Sequence, residues 1–191
     1  MTSKFLIALA LLATSALQAE AQSRVFDVTG SAPQICAVAQ PSFAAAGLNN
    51  FRALDGGNLQ VDQLVDPRTL ATNGAAAEVS FSAVCTFPHR IVLRSQNNGL
   101  WRNQPGPGAA VGFADAVPYS AEVSWGGARQ RFEATGQSRG STQLSTAITD
   151  ATVGDLKIAL TIVPGASNRS ANSPLLAGVY SDILTVTLEP Q

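Results

Sequence analysis

The residue types able to do chemistry are few in this chain, and they are scattered. The sharpest catalytic match is Gly136-Gln137-Ser138-Arg139-Gly140, which fits G-x-S-x-G with Ser138 as the nucleophile. That motif works on a sharp strand-to-helix turn, with an acid and then a histidine following it in the chain. Here the single histidine, His89, comes before Ser138, and no alternating strand–helix pattern surrounds it. Triads are recognised by geometry and recur in several chain orders, so a serine hydrolase using Ser138 stands as a remote alternative. His89, in "CTFPHRIVL", reads as a surface or loop residue. Beside two cysteines expected to bond to each other, it falls short of the ligand count of a zinc site. "GPGAAVG" (106–112) misses the spacing of a phosphate-binding loop, holds Pro107 and precedes no βαβ unit. The carboxylates form no evident acid–base pair. No catalytic residue, metal or cofactor is therefore expected, and the chain reads as non-enzymatic. Asn168-Arg169-Ser170 is a sequon, of consequence only in a host that glycosylates there. Of the two tryptophans, Trp125 is expected in the core or beside a turn. Trp101, in a polar stretch, is the better candidate for contact with a ligand such as a sugar.

The start of the chain has the form of a secretory signal peptide, assigned to residues 1–21. Lys4 precedes an apolar run from Phe5 to Leu17, and Ala19-Glu20-Ala21 supplies the small residues a signal peptidase needs. The run would rise only about 20 Å as a helix, short of a ~30 Å hydrocarbon core. No later stretch is long and apolar enough to span a membrane. Net charge is −1, charged residues make up 13% and no basic cluster occurs, which removes the electrostatic footprint of a nucleic-acid binder. An exported chain meets an oxidising compartment, where its two cysteines, Cys36 and Cys85, are expected to form one bridge. The competing possibility is a pair of buried free thiols.

Positioning these residues falls to strands. Val79, Phe81, Ala83 and Cys85 alternate with Glu78, Ser80, Ser82 and Val84. The same period of two runs through Val117–Trp125, through Leu156–Ile162, and through Tyr180, Asp182, Leu184, Val186 and Leu188. Such alternation marks half-buried strands. Gly126-Gly127 predicts a type I′ hairpin leading into a strand that turns Phe132 to the core. Asn73-Gly74 and Asn98-Gly99 are further turn signals. "VDQLVDPRTLA" has room for one helical turn, which Pro67 limits, and "STQLSTAITDATV" is ambiguous, with Leu144 and Ile148 four apart. Many short strands and turns in one domain-sized chain predict an all-β, immunoglobulin-like antiparallel β-sandwich, with a closed barrel as the competitor.

The segment around Cys36, "VSFSAVCTF" around Cys85, "VPYSAEVSW" and the terminal "LLAGVYSDILTVTLEP" together resemble the spore coat protein U domain. That family comprises secreted, pilin-like subunits of archaic chaperone–usher systems. The most specific piece is Gly178-x-Tyr180-x-Asp182 running into an alternating Thr/Val strand.

The resemblance implies a sandwich that lacks its last strand, with the domain over 36–191 and an N-terminal extension over 22–35 acting as donor strand. Phe26, Val28 and Gly30 would be donor residues. Tyr180, Leu184, Val186 and Leu188 would line the acceptor groove, and Cys36–Cys85 would be the intradomain disulfide. A periplasmic chaperone would fill the groove first, an outer-membrane usher would export the subunit, and the next pilin-like subunit would complete it by strand addition. The implied product is a fimbria or coat on the cell surface. The alternative is a self-complemented periplasmic or secreted binding module whose N-terminal strand folds back into its own sandwich.

Overall fold

The computed structural model describes residues 23–54, 57–103 and 110–191, with the backbone alone at 44–46. The expected signal segment, 1–21, lies outside the described residues, as does the middle of the loop that follows Trp101. The chain divides into two units, one ending at Ala32 and the other running Pro33–Gln191.

In the first unit, residues 23–32 belong to no strand. Phe26 and Val28 are 82% and 94% exposed, and Val25 is exposed as well. The period-two pattern expected to make a strand here is present in the sequence without a ladder. A lone extended segment has no neighbour to take up its backbone N–H and C=O groups, so alternation by itself does not make a strand.

The second unit is all-β, and no α-helix occurs among the described residues. Its strands are β1 (Cys36–Val38), β2 (Ser42–Asn49), β3 (Phe51–Leu54), β4 (Asn58–Val61), β5 (Ala75–Cys85), β6 (His89–Ser95) and β7 (Leu100–Arg102). They continue with β8 (Ala116–Val117), β9 (Tyr119–Trp125), β10 (Ala128–Ala134), β11 (Thr142–Ile148), β12 (Thr152–Ile162), β13 (Tyr180–Ser181) and β14 (Leu184–Pro190). One large sheet runs β1-β5-β12-β9-β10, with β2 also bonded to β5. A second runs β11-β6-β14, and there are two small sheets, β13-β7-β8 and β3-β4. The named strands pair antiparallel throughout.

The two main sheets form a sandwich, and the alternation fills it. From the large sheet, Val79, Cys85, Leu156, Ile158, Ala121, Val123, Trp125 and Phe132 point inward and are buried. From the other, Ile91 and Leu93 are buried, and Leu144, Leu184, Val186 and Leu188 are half-buried against them. The Gly126-Gly127 hairpin has positive φ at both residues (55° and 81°), as a type I′ turn requires. It places Trp125 opposite Ala128. Trp125 is buried, and its indole N–H donates to the Gly154 carbonyl at 3.2 Å.

Three local readings change. The run through Val117–Trp125 is broken at Pro118, which has no N–H for a ladder. β8 pairs with β7 and β9 with β10 and β12, so the proline marks where the chain changes sheets. "VDQLVDPRTLA" makes one turn, with the Arg68 and Thr69 amides donating to the Asp66 carboxylate and the Leu70 amide to its carbonyl. "STQLSTAITDATV" is a pair of strands. Leu144 and Ile148 share a face because a separation of four is even and so satisfies the strand period as well as the helical one.

Candidate functional site

The final segment is the centre of interest, and it is not one strand. β13 pairs with β7, placing Tyr180 opposite Arg102. β14 pairs with β6, placing Leu184, Val186 and Leu188 opposite Ser95, Leu93 and Ile91. Asp182 sits at the break. Its Oδ2 accepts from the Ser95 hydroxyl (2.5 Å), the Tyr119 phenol (2.8 Å) and the Gly99 amide (3.3 Å). Its Oδ1 accepts from the Asn97 and Ile183 amides at 2.9 and 2.8 Å. The Ser95 hydroxyl in turn accepts from the Asn98 amide. One carboxylate therefore ties the β6–β7 turn and β9 to the root of β14. An ionised carboxylate only accepts, and here every partner donates. Burial, and then the adjacent Asp182 charge, hold the Tyr119 phenol far above its ordinary range.

Tyr180 is anchored separately. Its hydroxyl donates to the Leu176 carbonyl at 2.7 Å, and burial pushes its pKa up to about 12. Two residues before it, Gly178 has φ +156°, and a Cβ there would come 2.8 Å from the Arg102 side chain. The glycine lets the backbone pass over that arginine. The Gly-x-Tyr-x-Asp run is thus one mechanical unit: close passage, anchored ring, carboxylate node.

Beyond the node β14 is open on one side. Among the described residues it pairs with β6 alone, and although β1 lies nearby no ladder joins them. The Gln96 amide donates to the Ile183 carbonyl, which sets the phase of the β6–β14 ladder. Antiparallel strands alternate bonded and non-bonded pairs. The alternation turns the amides of Thr185, Thr187 and Glu189 toward β6, and those of Leu184, Val186 and Leu188 toward the open edge. The same three leucine and valine side chains are the half-buried ones. In β1, the strand that lies near β14, Val38 is also exposed, as is Ile183 just before β14. An edge that presents backbone donors and uncovered apolar groups together is a template for another strand.

The remaining candidates fall as follows. Cys36 and Cys85 are bonded to each other, directly opposite in the β1–β5 ladder. Phe26, Val28 and Gly30 lie in the described part of the first unit, residues 23–32, which holds no strand, and no described residue crowds Gly30. Trp101 is not in a polar loop: it lies in β7, opposite Ser181 and Ala116, half-buried, with its indole nitrogen buried and without a partner among the described residues. Ser138 sits exposed in a turn with strands before and after it. Its carbonyl accepts from the Asn98 side chain, which also caps Thr135. The sequon asparagine, Asn168, accepts from the Asp115 and Ala116 amides and donates to the Asp115 carboxylate, so its side chain is committed to holding the loop before β13.

His89 corrects the sequence reading most sharply. It is fully buried at the start of β6, its ring 4.9 Å from that of Trp125. The chain crosses from one sheet to the other over Thr86–Pro88, which carries His89 into the space between them. Sequence reasoning also missed Ser95 and Tyr119. Tyr119 was placed on the correct face by its alternation, but nothing local marks its partner sixty-three residues away. Compared with known proteins, the chain matches no protein-family model and no curated sequence.

Proposed function

We propose that the protein is an exported structural subunit of a surface fibre or coat that assembles by strand addition at the outer edge of β14. The observation that carries this reading is the coincidence, on Leu184, Val186 and Leu188, of outward backbone amides and half-buried apolar side chains. A strand laid along that edge satisfies the amides and completes the burial. A large apolar side chain moved fully from water gains about 1.5–3 kcal/mol. Finishing three half-buried ones, with a ladder besides, is a large increment on a net stability of about 5–15 kcal/mol. Phe26 and Val28, alternating and exposed, have the form of a donor for such a groove. The cross-strand disulfide suits an oxidising compartment.

The resemblance to spore coat protein U subunits supplies the biological setting. Residues 1–21 are removed on export, a periplasmic chaperone shields the open edge, and an outer-membrane usher passes the subunit to the cell surface. The Phe26–Val28–Gly30 segment of one subunit then enters the edge of the next. In this role the protein is not an enzyme. The alternative, a self-complemented binding module, would use residues 23–32 as a strand of its own sandwich.

Protein lacking residues 1–21, compared with the same protein also lacking 25–31, tests the proposal. The longer form is expected to give multimers that survive SDS without boiling, and the deletion to remove them while leaving a foldable domain. Monomers with equal stability and equal assembly in both forms would sink it.

A further inference from the structure

A second cluster lies where β5 crosses over to β6. Cys36 and Cys85 face each other across the ladder with Cα atoms 4.1 Å apart. A ring nitrogen of His89 and the two sulfurs all lie within 4.8 Å of one another. Cys85 and His89 are buried, while Cys36 is partly exposed and opens the cluster to solvent.

His89 has no structural bond to explain its whole ring. Nδ1 donates to the Phe87 carbonyl at 2.8 Å, and Nε2 is buried with no partner among the described residues. A buried polar atom left unpaired is costly. Because Nδ1 carries the proton, Nε2 carries the free lone pair. An imidazole held through one nitrogen by a backbone carbonyl, with the other nitrogen free, is how proteins orient histidine toward a metal.

We propose that opening the Cys36–Cys85 bridge converts this cluster into a three-ligand site for Cu(I), made of two thiolates and a ring nitrogen of His89. A dithiol reductant supplies two electrons and two protons, opening the S–S bond to two thiols and itself becoming a disulfide. Binding of Cu(I) then forms two Cu–S bonds and one Cu–N bond and releases both thiol protons. Thiolate with imidazole is a soft ligand set that suits Cu(I). A structural zinc site takes a fourth ligand, and among the described residues the group holds only these three. The cysteines are neighbours on one ladder, so reduction leaves both sulfurs beside the ring without moving a strand.

The test uses protein reduced by a dithiol, freed of it anaerobically, and titrated with Cu(I) against a chromophoric chelator. The expected result is a single Cu(I) per chain with the β-sheet circular dichroism retained, and none bound by the oxidised protein. X-ray absorption at the copper edge should give two sulfur neighbours and one imidazole nitrogen. His89→Gln should weaken binding by about 10–100-fold or more, since removing even an outer partner of a metal ligand costs that much. Three results overturn the proposal: no Cu(I) bound, Cu(I) bound only after the sheet signal is lost, or copper with sulfur neighbours alone. The absorption measurement is made on the wild-type chain, so it decides the matter even if the His89 variant fails to fold.

Discussion

At Asp182, the start of the final segment, two carboxylate oxygens meet five donors drawn from Ser95, Asn97, Gly99, Tyr119 and Ile183. From Leu184 onward the same segment bonds to β6 on one side and presents amides and half-buried side chains on the other. The first region needs nothing from outside, and the second is unfinished in both hydrogen bonding and burial. The two sides of the sandwich repeat the contrast. Where β10 and β11 approach, the inward Phe132, Ala134 and Ile148 are buried. Where β1 and β14 approach, Cys36, Val186 and Leu188 are only partly so. β11 likewise pairs with β6 alone among the described residues and keeps Leu144 half-buried, so what sets β14 apart is that its inward residues Leu184, Val186 and Leu188 are all half-buried, with no fully buried one among them. A rigid root below an open strand keeps the edge in register for whatever pairs with it.

The largest expected effect attacks the closed region. Asp182→Ala leaves the Ser95 and Tyr119 hydroxyls and up to three amides without their acceptor, each costing about 1–3 kcal/mol if no water replaces it. A loss of about 3–5 kcal/mol in denaturant unfolding is expected, with Asp182→Asn recovering part of it. A loss below about 1 kcal/mol would mean that the node does not hold the root of β14.

A smaller effect sharpens the contrast between closed and open. Leu93→Ala, at a fully buried β6 position, should cost about 2–5 kcal/mol. Leu188→Ala on β14 should cost less than about 1.5 kcal/mol in the isolated protein, because part of its surface is already in water. Adding a peptide of residues 22–35 should widen the penalty at Leu188 and leave that at Leu93 unchanged. Equal penalties without peptide would contradict the open edge.

The smallest effect is a pH signature. Both tyrosines have raised pKa values, Tyr119 through burial and then the Asp182 charge, Tyr180 through burial. A group whose pKa is higher folded than unfolded stabilises fully below its unfolded value, about 10 for tyrosine, and loses that contribution as pH rises toward the folded value. Phenolate absorbance should therefore stay low in the native protein to about pH 11, while the urea-unfolded chain titrates near 10. A native titration near 10 with the amplitude of one tyrosine would contradict the buried node.

The sequence carried the strands because alternation is local: each inward residue of β5, β9 and β12 is fixed by its neighbours two positions away. It carried the Gly126-Gly127 turn for the same reason, since only backbone conformation is at stake. It did not carry Asp182. An acid on an apolar face has no local meaning, and its side-chain partners stand sixty-three and eighty-seven residues away. Nor did it carry the burial of His89, which depends on where the Thr86–Pro88 crossing delivers the chain. The open edge was half legible: the alternation of Leu184, Val186 and Leu188 marks a strand, but only the topology says that one side lacks a neighbour.

Hydrogen exchange along β14, with and without the peptide of residues 22–35, tests the central claim most directly. In the isolated protein the amides of Thr185, Thr187 and Glu189 should be protected and those of Leu184, Val186 and Leu188 should exchange fast. Added peptide should protect the second set and leave the first as it was. Amides of Leu184, Val186 and Leu188 that are already protected without peptide, or that stay unprotected at saturating peptide, would contradict the account.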